Sequence, residues 1–160
     1  MRSKAALVLA VACVAGCGGG GSNPNETVSS GAFTVTVTPN PIVAADCDPA
    51  VCGGEGVLVA VGTLVITETA GVGGFVNLAA ISLRNTATNA EVGTFSFTAQ
   101  DIAARAGTNR VGPNGTLSIP GLGAAYRLPG GARAATMSFA VAITDDHSFP
   151  KSFLVTVPVL

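Results

Sequence analysis

The densest group of chemically capable side chains is Asp145-Asp146-His147, where the only histidine of the chain follows two carboxylates. An imidazole flanked by carboxylates can bind a cation or move a proton near neutral pH. The same residues also suit a solvated hairpin turn, since aspartate side chains bond to backbone N–H groups a few positions on. A second acidic group, Asp46, Asp48 and Glu55, surrounds Cys47 and Cys52 and offers oxygen ligands to calcium, but lacks the ordered spacing of a calcium loop. A zinc site needs about four ligands, and one histidine with no second cysteine pair does not supply them. Arg105 and Arg110 border a glycine-containing loop where an anion would fit, although surface solubility explains them equally well.

Catalytic groups are sparse. There is no Gly-x-Ser-x-Gly elbow, and a single histidine cannot anchor a strong case for a triad. Carboxylate pairs for glycoside hydrolysis drawn from Glu68, Glu91 and Asp101 would follow no spacing rule. The expectation is therefore a protein that is not an enzyme, with no catalytic residue and no cofactor. Asp145, Asp146 and His147 are the candidates for a metal site.

Of the 160 residues, 8 are Lys or Arg and 9 are Asp or Glu, so 11% are charged, against about 25% in an ordinary soluble domain. With 48% hydrophobic residues the chain has ample material for a core and does not read as disordered. A formal charge of −1 provides no phosphate-neutralising surface, which excludes a nucleic-acid partner.

The N-terminus is more specific. Arg2 and Lys4 precede an apolar run from Ala5 to Ala15, too short to span a bilayer at about 20 residues but suited to an export signal. Val14-Ala15-Gly16-Cys17 then resembles the lipobox of bacterial lipoproteins. The resemblance implies cleavage before Cys17, acylation of the Cys17 thiol and usually of its new amine, and attachment to a membrane. More than one acyl chain holds a protein stably, since one alone is marginal. Gly18 stands where inner-membrane retention signals often carry Asp, so in a host with two membranes the resemblance favours the outer one. The competing reading is an ordinary secretory signal cut near Ala15 that leaves Cys17 free; a cut before Cys13 would shorten the apolar run.

Residues 1–16 are thus expected to be a signal peptide. Residues 17–31, beginning Cys17-Gly18-Gly19-Gly20-Gly21-Ser22-Asn23, are expected to be a flexible tether. Loss of Arg2 and Lys4 leaves 6 basic and 9 acidic side chains, a formal charge of −3. With Cys17 acylated, Cys47 and Cys52 remain as an even pair in an oxidising compartment, which predicts a disulfide closing a short loop.

Residues 32–160 are expected to form one domain. Phe33, Val35 and Val37 alternate with threonines, the period of a half-buried strand, which stops at Pro39-Asn40-Pro41. Val57 to Thr67 is apolar at nearly every position, as in a central strand with a bulge at Gly62. Further strands are expected at Val76 to Arg84, at Val92 to Ala99 with Phe95 and Phe97 on its apolar side, and at Thr116 to Ile119, ended by Pro120-Gly121. Met137 to Thr144 and Phe153 to Val159 alternate most clearly, joined by a hairpin-length loop, and Gln100 to Ala106 has helical composition. Seven strands with no alternating helices predict an all-β antiparallel sandwich, with a closed barrel as the other architecture. The pattern resembles bacterial immunoglobulin-like and fibronectin-type-III-like domains, although the Cys, Trp, Cys set is absent and Tyr126 falls in a loop-like context.

These readings converge on an exported, lipid-anchored, non-enzymatic module for adhesion or envelope assembly. Its partners would be the membrane, through Cys17, and another envelope protein or surface ligand. The alternatives are a small-ligand or metal-binding lipoprotein centred on Asp145, Asp146 and His147, and a hydrolase using His147 as base.

Overall fold

The computed structural model describes residues 28–30 and 33–160; the expected signal, the lipobox and Cys17 lie outside the described residues. In chain order the elements are β1 (Val28–Ser30), β2 (Phe33–Thr38), β3 (Ala45–Asp46), α1 (Pro49–Cys52), β4 (Leu58–Glu68), β5 (Gly74–Asn85) and β6 (Glu91–Thr98). They continue with α2 (Ala99–Ala106), β7 (Arg110–Val111), β8 (Thr116–Tyr126), β9 (Ala135–Asp145) and β10 (Pro150–Val159). β1 pairs Val28–Ser30 with β2, so the sheet takes in residues that the sequence assigns to the tether.

Two antiparallel sheets pack face to face. In the first, β1 pairs with β2, β2 and β3 follow one another along one side of β4, and β8 occupies the other side. The second has the order β10-β9-β5-β6, with β7 beside Gly74 and Phe75 of β5. The seven strands of six or more residues match the expected seven, and the three short ones are additions. Alternation drives the packing: Phe33, Val35 and Val37 turn inward from one sheet, and Met137, Phe139, Val141, Ile143, Phe153 and Val155 turn inward from the other. Removing these side chains from water is the dominant favourable contribution to folding.

The sequence expects a stop at Pro120-Gly121 and a loop around Tyr126, but β8 runs through both. Gly62 pairs with Leu122 and Leu64 with Ile119, so Thr63 lies opposite two residues, Pro120 and Gly121. Proline, which has no N–H to donate, and Gly121 at φ 68° fit a bulge where the ladder is interrupted. The irregularity expected at Gly62 is present, with the extra residue on the partner strand. Further along, β8 lies so close to β4 that a Cβ on Gly123 would stand 2.5 Å from the Ala60 carbonyl oxygen. Tyr126 is buried, and its hydroxyl donates to the Arg133 carbonyl at 2.8 Å, tying the end of β8 to the approach to β9.

The helical composition of Gln100 to Ala106 does form a helix, α2, which begins one residue earlier. The Thr98 hydroxyl oxygen accepts from the Asp101 N–H at 3.3 Å, and the Asp101 carboxylate accepts from the Thr98 N–H at 2.8 Å, a reciprocal capping box. Between Cys47 and Cys52, which form the expected disulfide, Pro49–Cys52 makes a single helical turn capped by Asp48. Phe95 departs from the apolar alternation: β6 is an edge strand, and its ring is 44% exposed.

Candidate docking face

The hairpin between β9 and β10 brings Asp145, Asp146 and His147 together in sequence but sends them to different partners. Asp145 is buried at the end of β9, and its Oδ1 accepts from the N–H groups of His147 and Phe149 at 3.0 and 2.8 Å. Its other oxygen lies 3.7 Å from Lys151 Nζ. Asp146 turns away to Arg110, whose two terminal nitrogens donate to its two oxygens at 2.7 Å each. That bidentate hydrogen bond holds the Asp146 carboxyl below its usual range and raises Arg110 further. Arg110 also stacks on Phe75 at 4.8 Å. His147 supplies its backbone N–H to the turn.

Asp46 pairs with Arg133 at 2.8 Å, while Asp48 caps α1. Arg105 donates to the Gly121 carbonyl and stacks on Phe97, so both arginines weighed for an anion serve other contacts. Among the described residues no three His, Cys, Asp or Glu side chains are grouped to hold a metal ion. Glu68, weighed in the sequence only as half of a carboxylate pair, is a buried cap. It accepts from the N–H groups of Ala70, Gly71 and Asn114 at 2.7, 3.0 and 2.7 Å. Burial pushes its pKa up, but these donors together with that of Val72 outweigh it and leave the carboxyl below its ordinary value.

The most coherent surface lies elsewhere, on the outer side of the β10-β9-β5-β6 sheet. Because β9 buries its odd-numbered residues, Ser138, Ala140 and Ala142 face outward. On β5, a register shift between Val76 and Leu78 turns Leu78, Ala80 and Ser82 to the same side. Pairing aligns these positions in rows across the strands: Ser96, Ala80, Ala140 and Leu154 form one. Thr94, Ser82, Ser138 and Thr156 form the next, in which the Ser138 and Thr156 hydroxyls are 3.0 Å apart.

Neither row carries a charge. Their small side chains leave an open trough of about 460 Å³, with Leu154 at its side. Leu154 is 60% exposed, and Leu78 and Phe75 are exposed further along the sheet. The Arg84–Glu91 pair lies at one end of β5 and the Arg110–Asp146 pair at the other. The face is thus uncharged at its centre and charged at its two ends. The trough is lined by the hydroxyl residues Ser82, Thr94, Ser96 and Ser138 beside alanines and Leu154, so it offers apolar contact and hydroxyl hydrogen bonding.

The alternation that builds this face is visible in the sequence as the small-residue half of each strand. Its assembly is not, because the rows exist only once strand order and register are known. No protein-family model and no curated protein matches this chain.

Proposed function

We propose that this chain is an exported, lipid-anchored binding module whose immunoglobulin-like sandwich presents the outer face of the β10-β9-β5-β6 sheet to a partner in the cell envelope. The observation that carries the reading is the uncharged trough around Ala80 and Ala140 with Leu154 exposed beside it. A soluble surface normally interrupts such an area with charge. The immunoglobulin-like assignment draws support from the division of the seven long strands. The first, second and fifth lie in one sheet, and the seventh, sixth, third and fourth lie in the other. Constant-type immunoglobulin domains put the fourth strand with the first, second and fifth, whereas here it stays beside the third.

Export draws support from the Cys47–Cys52 disulfide, since such bonds persist in oxidising compartments. The anchor rests on Val14-Ala15-Gly16-Cys17. A non-enzymatic role draws support from the capping and pairing duties of Glu68, Asp145 and Asp146, whose carboxylates are each held by backbone N–H groups or by Arg110.

Cross-linking in living cells, followed by purification from membranes and mass spectrometry, tests the reading. The wild-type chain should recover a reproducible partner, and Ala140→Arg, which places a charge in the trough from an exposed position, should lose it. The Cys17→Ser variant should take up no labelled fatty acid. Equal recovery by wild type and Ala140→Arg would rule out the face as the docking surface, and a wild-type chain that takes up no more labelled fatty acid than Cys17→Ser would rule out the anchor.

A further inference from the structure

The outer face of the β10-β9-β5-β6 sheet has an uneven relief. Phe75, Leu78 and Leu154 rise from it, 43, 39 and 60% exposed. Along β9 the outward side chains are Thr136, Ser138, Ala140, Ala142 and Thr144, all small. β5 and β10 flank β9 on its two sides, and strand pairing sets their residues level by level against it. At the level of Ala142, β5 carries Leu78 and β10 carries Ser152; at the level of Ala140, β5 carries Ala80 and β10 carries Leu154. The levels on either side repeat the contrast, with Phe75 against Pro150 and Ser82 against Thr156. Where one flank is high, the other is low.

We infer that a second copy of this chain packs on this face, sheet against sheet, about a two-fold axis running along β9. Such an axis keeps every residue at its level and exchanges β5 with β10. Each Leu154 then enters the trough of the other copy over Ala80, and each Leu78 lies over Ser152. The two β9 strands meet on the axis through Ala140 and its small neighbours, which lets the sheets come together at the usual spacing of about 10 Å. A two-fold contact requires one patch to supply both the projection and the hollow that receives it. A face shaped for a different protein has no need to match its own rotated image, and this one matches at four successive levels.

Charge is kept out of the contact. The overlap covers β10, β9 and β5, whereas Glu91 and Arg110 stand on β6 and β7 and hold Arg84 and Asp146 in pairs at the two ends. These pairs form a polar rim around an uncharged middle. Three strands about 4.8 Å apart, followed from Pro150 to Pro158 at about 3.3 Å per residue, give roughly 400 Å² in plan on each copy. For both copies, with side-chain relief, this comes to about 1,000 Å², where specific interfaces begin. The inference rests on the reading of this face as a docking surface and names its partner. Anchoring both copies in one membrane raises the effective concentration for so small a contact.

Cysteine cross-linking of the full-length chain in living cells, with a short bismaleimide, tests the register. Ala140→Cys, on the axis, should link to itself well above wild type, which sets the background, and above Val61→Cys, exposed on the outer side of the other sheet. Ala80→Cys and Leu154→Cys chains carrying different tags should, when expressed together, give a mixed dimer at least about fivefold over either self-linked product, because a two-fold contact sets the first residue against the second. Two Ala80 residues, by contrast, lie two strand spacings apart sideways, about 10 Å. Self-linking of Ala140→Cys no stronger than that of Val61→Cys, or mixed and self-linked products in the proportions of random collision, would overturn the inference. Capture of a different protein by Ala140→Cys would also overturn it while keeping the docking face. Absence of both the dimer and any partner sensitive to Ala140→Arg would remove the two readings together.

Discussion

Tyr126 offers a sharp test of the packing argument, because it is the only tyrosine and the chain has no tryptophan. Its phenol is 3% exposed and donates to the Arg133 carbonyl at 2.8 Å. Tyr126→Phe removes the hydroxyl while keeping the ring. A neutral hydrogen bond contributes about 0.5–1.5 kcal/mol net, and a carbonyl left without its donor costs more only where water cannot reach it. Arg133 is exposed, so water can take the vacated place, and the expected loss is about 1 kcal/mol. For a domain of this size that lowers Tm by roughly 2–4 °C. Tyr126→Ala, which also empties a core position, should cost about 3–5 kcal/mol, as for other buried aromatic rings.

A second readout comes from titration. Burial pushes the Tyr126 phenol above its ordinary value of 10.0, with the Arg133 charge opposing. A group whose folded pKa is raised contributes stability that is fully present below the unfolded value and is lost as pH rises through the folded one. Wild-type stability should therefore fall above about pH 10 more steeply than that of Tyr126→Phe. Ultraviolet absorbance of the phenolate follows the ionisation of this one residue, and calorimetry follows the melting. A phenol that titrates at or below 10.0, or a Tyr126→Phe protein as stable as wild type, would refute the assignment of Tyr126 as a buried brace between β8 and β9.

Three further outcomes follow from the same geometry. Glu68 has a folded pKa below its ordinary 4.5, so its contribution is present above that value and lost as pH falls through the folded one; denaturant midpoints across pH 3–7 should drop at the acid end in wild type and drop less in Glu68→Gln. Thr98→Ala breaks the capping box of α2 and should cost about 1 kcal/mol, seen as a lower denaturant midpoint with an unchanged slope. Replacing Cys47 and Cys52 by serine opens a very short loop and should cost at most about 2 kcal/mol on the chain-entropy account, and amide hydrogen exchange should rise around α1 while the strand amides stay protected.

The chain's own residues determined the fold class and most of its strands. A period of two needs no tertiary information: Phe33, Val35 and Val37 turn inward wherever the strand lies, because successive side chains project to opposite sides. The Cys47–Cys52 bond was legible by counting, since with Cys17 assigned to the anchor these two cysteines remain as an even pair. Tertiary structure decided what alternation cannot encode. Pro120-Gly121 reads as a stop, and only a facing Thr63 turns it into a bulge. Phe95 reads as core, and only the position of β6 at an edge exposes it. Asp145, Asp146 and His147 read as a cluster, yet the turn assigns each a different partner. The row of the face proposed for docking went furthest unseen, because Ala80, Ala140 and Leu154 are far apart in the chain and meet only through strand register. Burial is a property of each strand's own pattern, whereas a surface belongs to the order in which the strands are laid together.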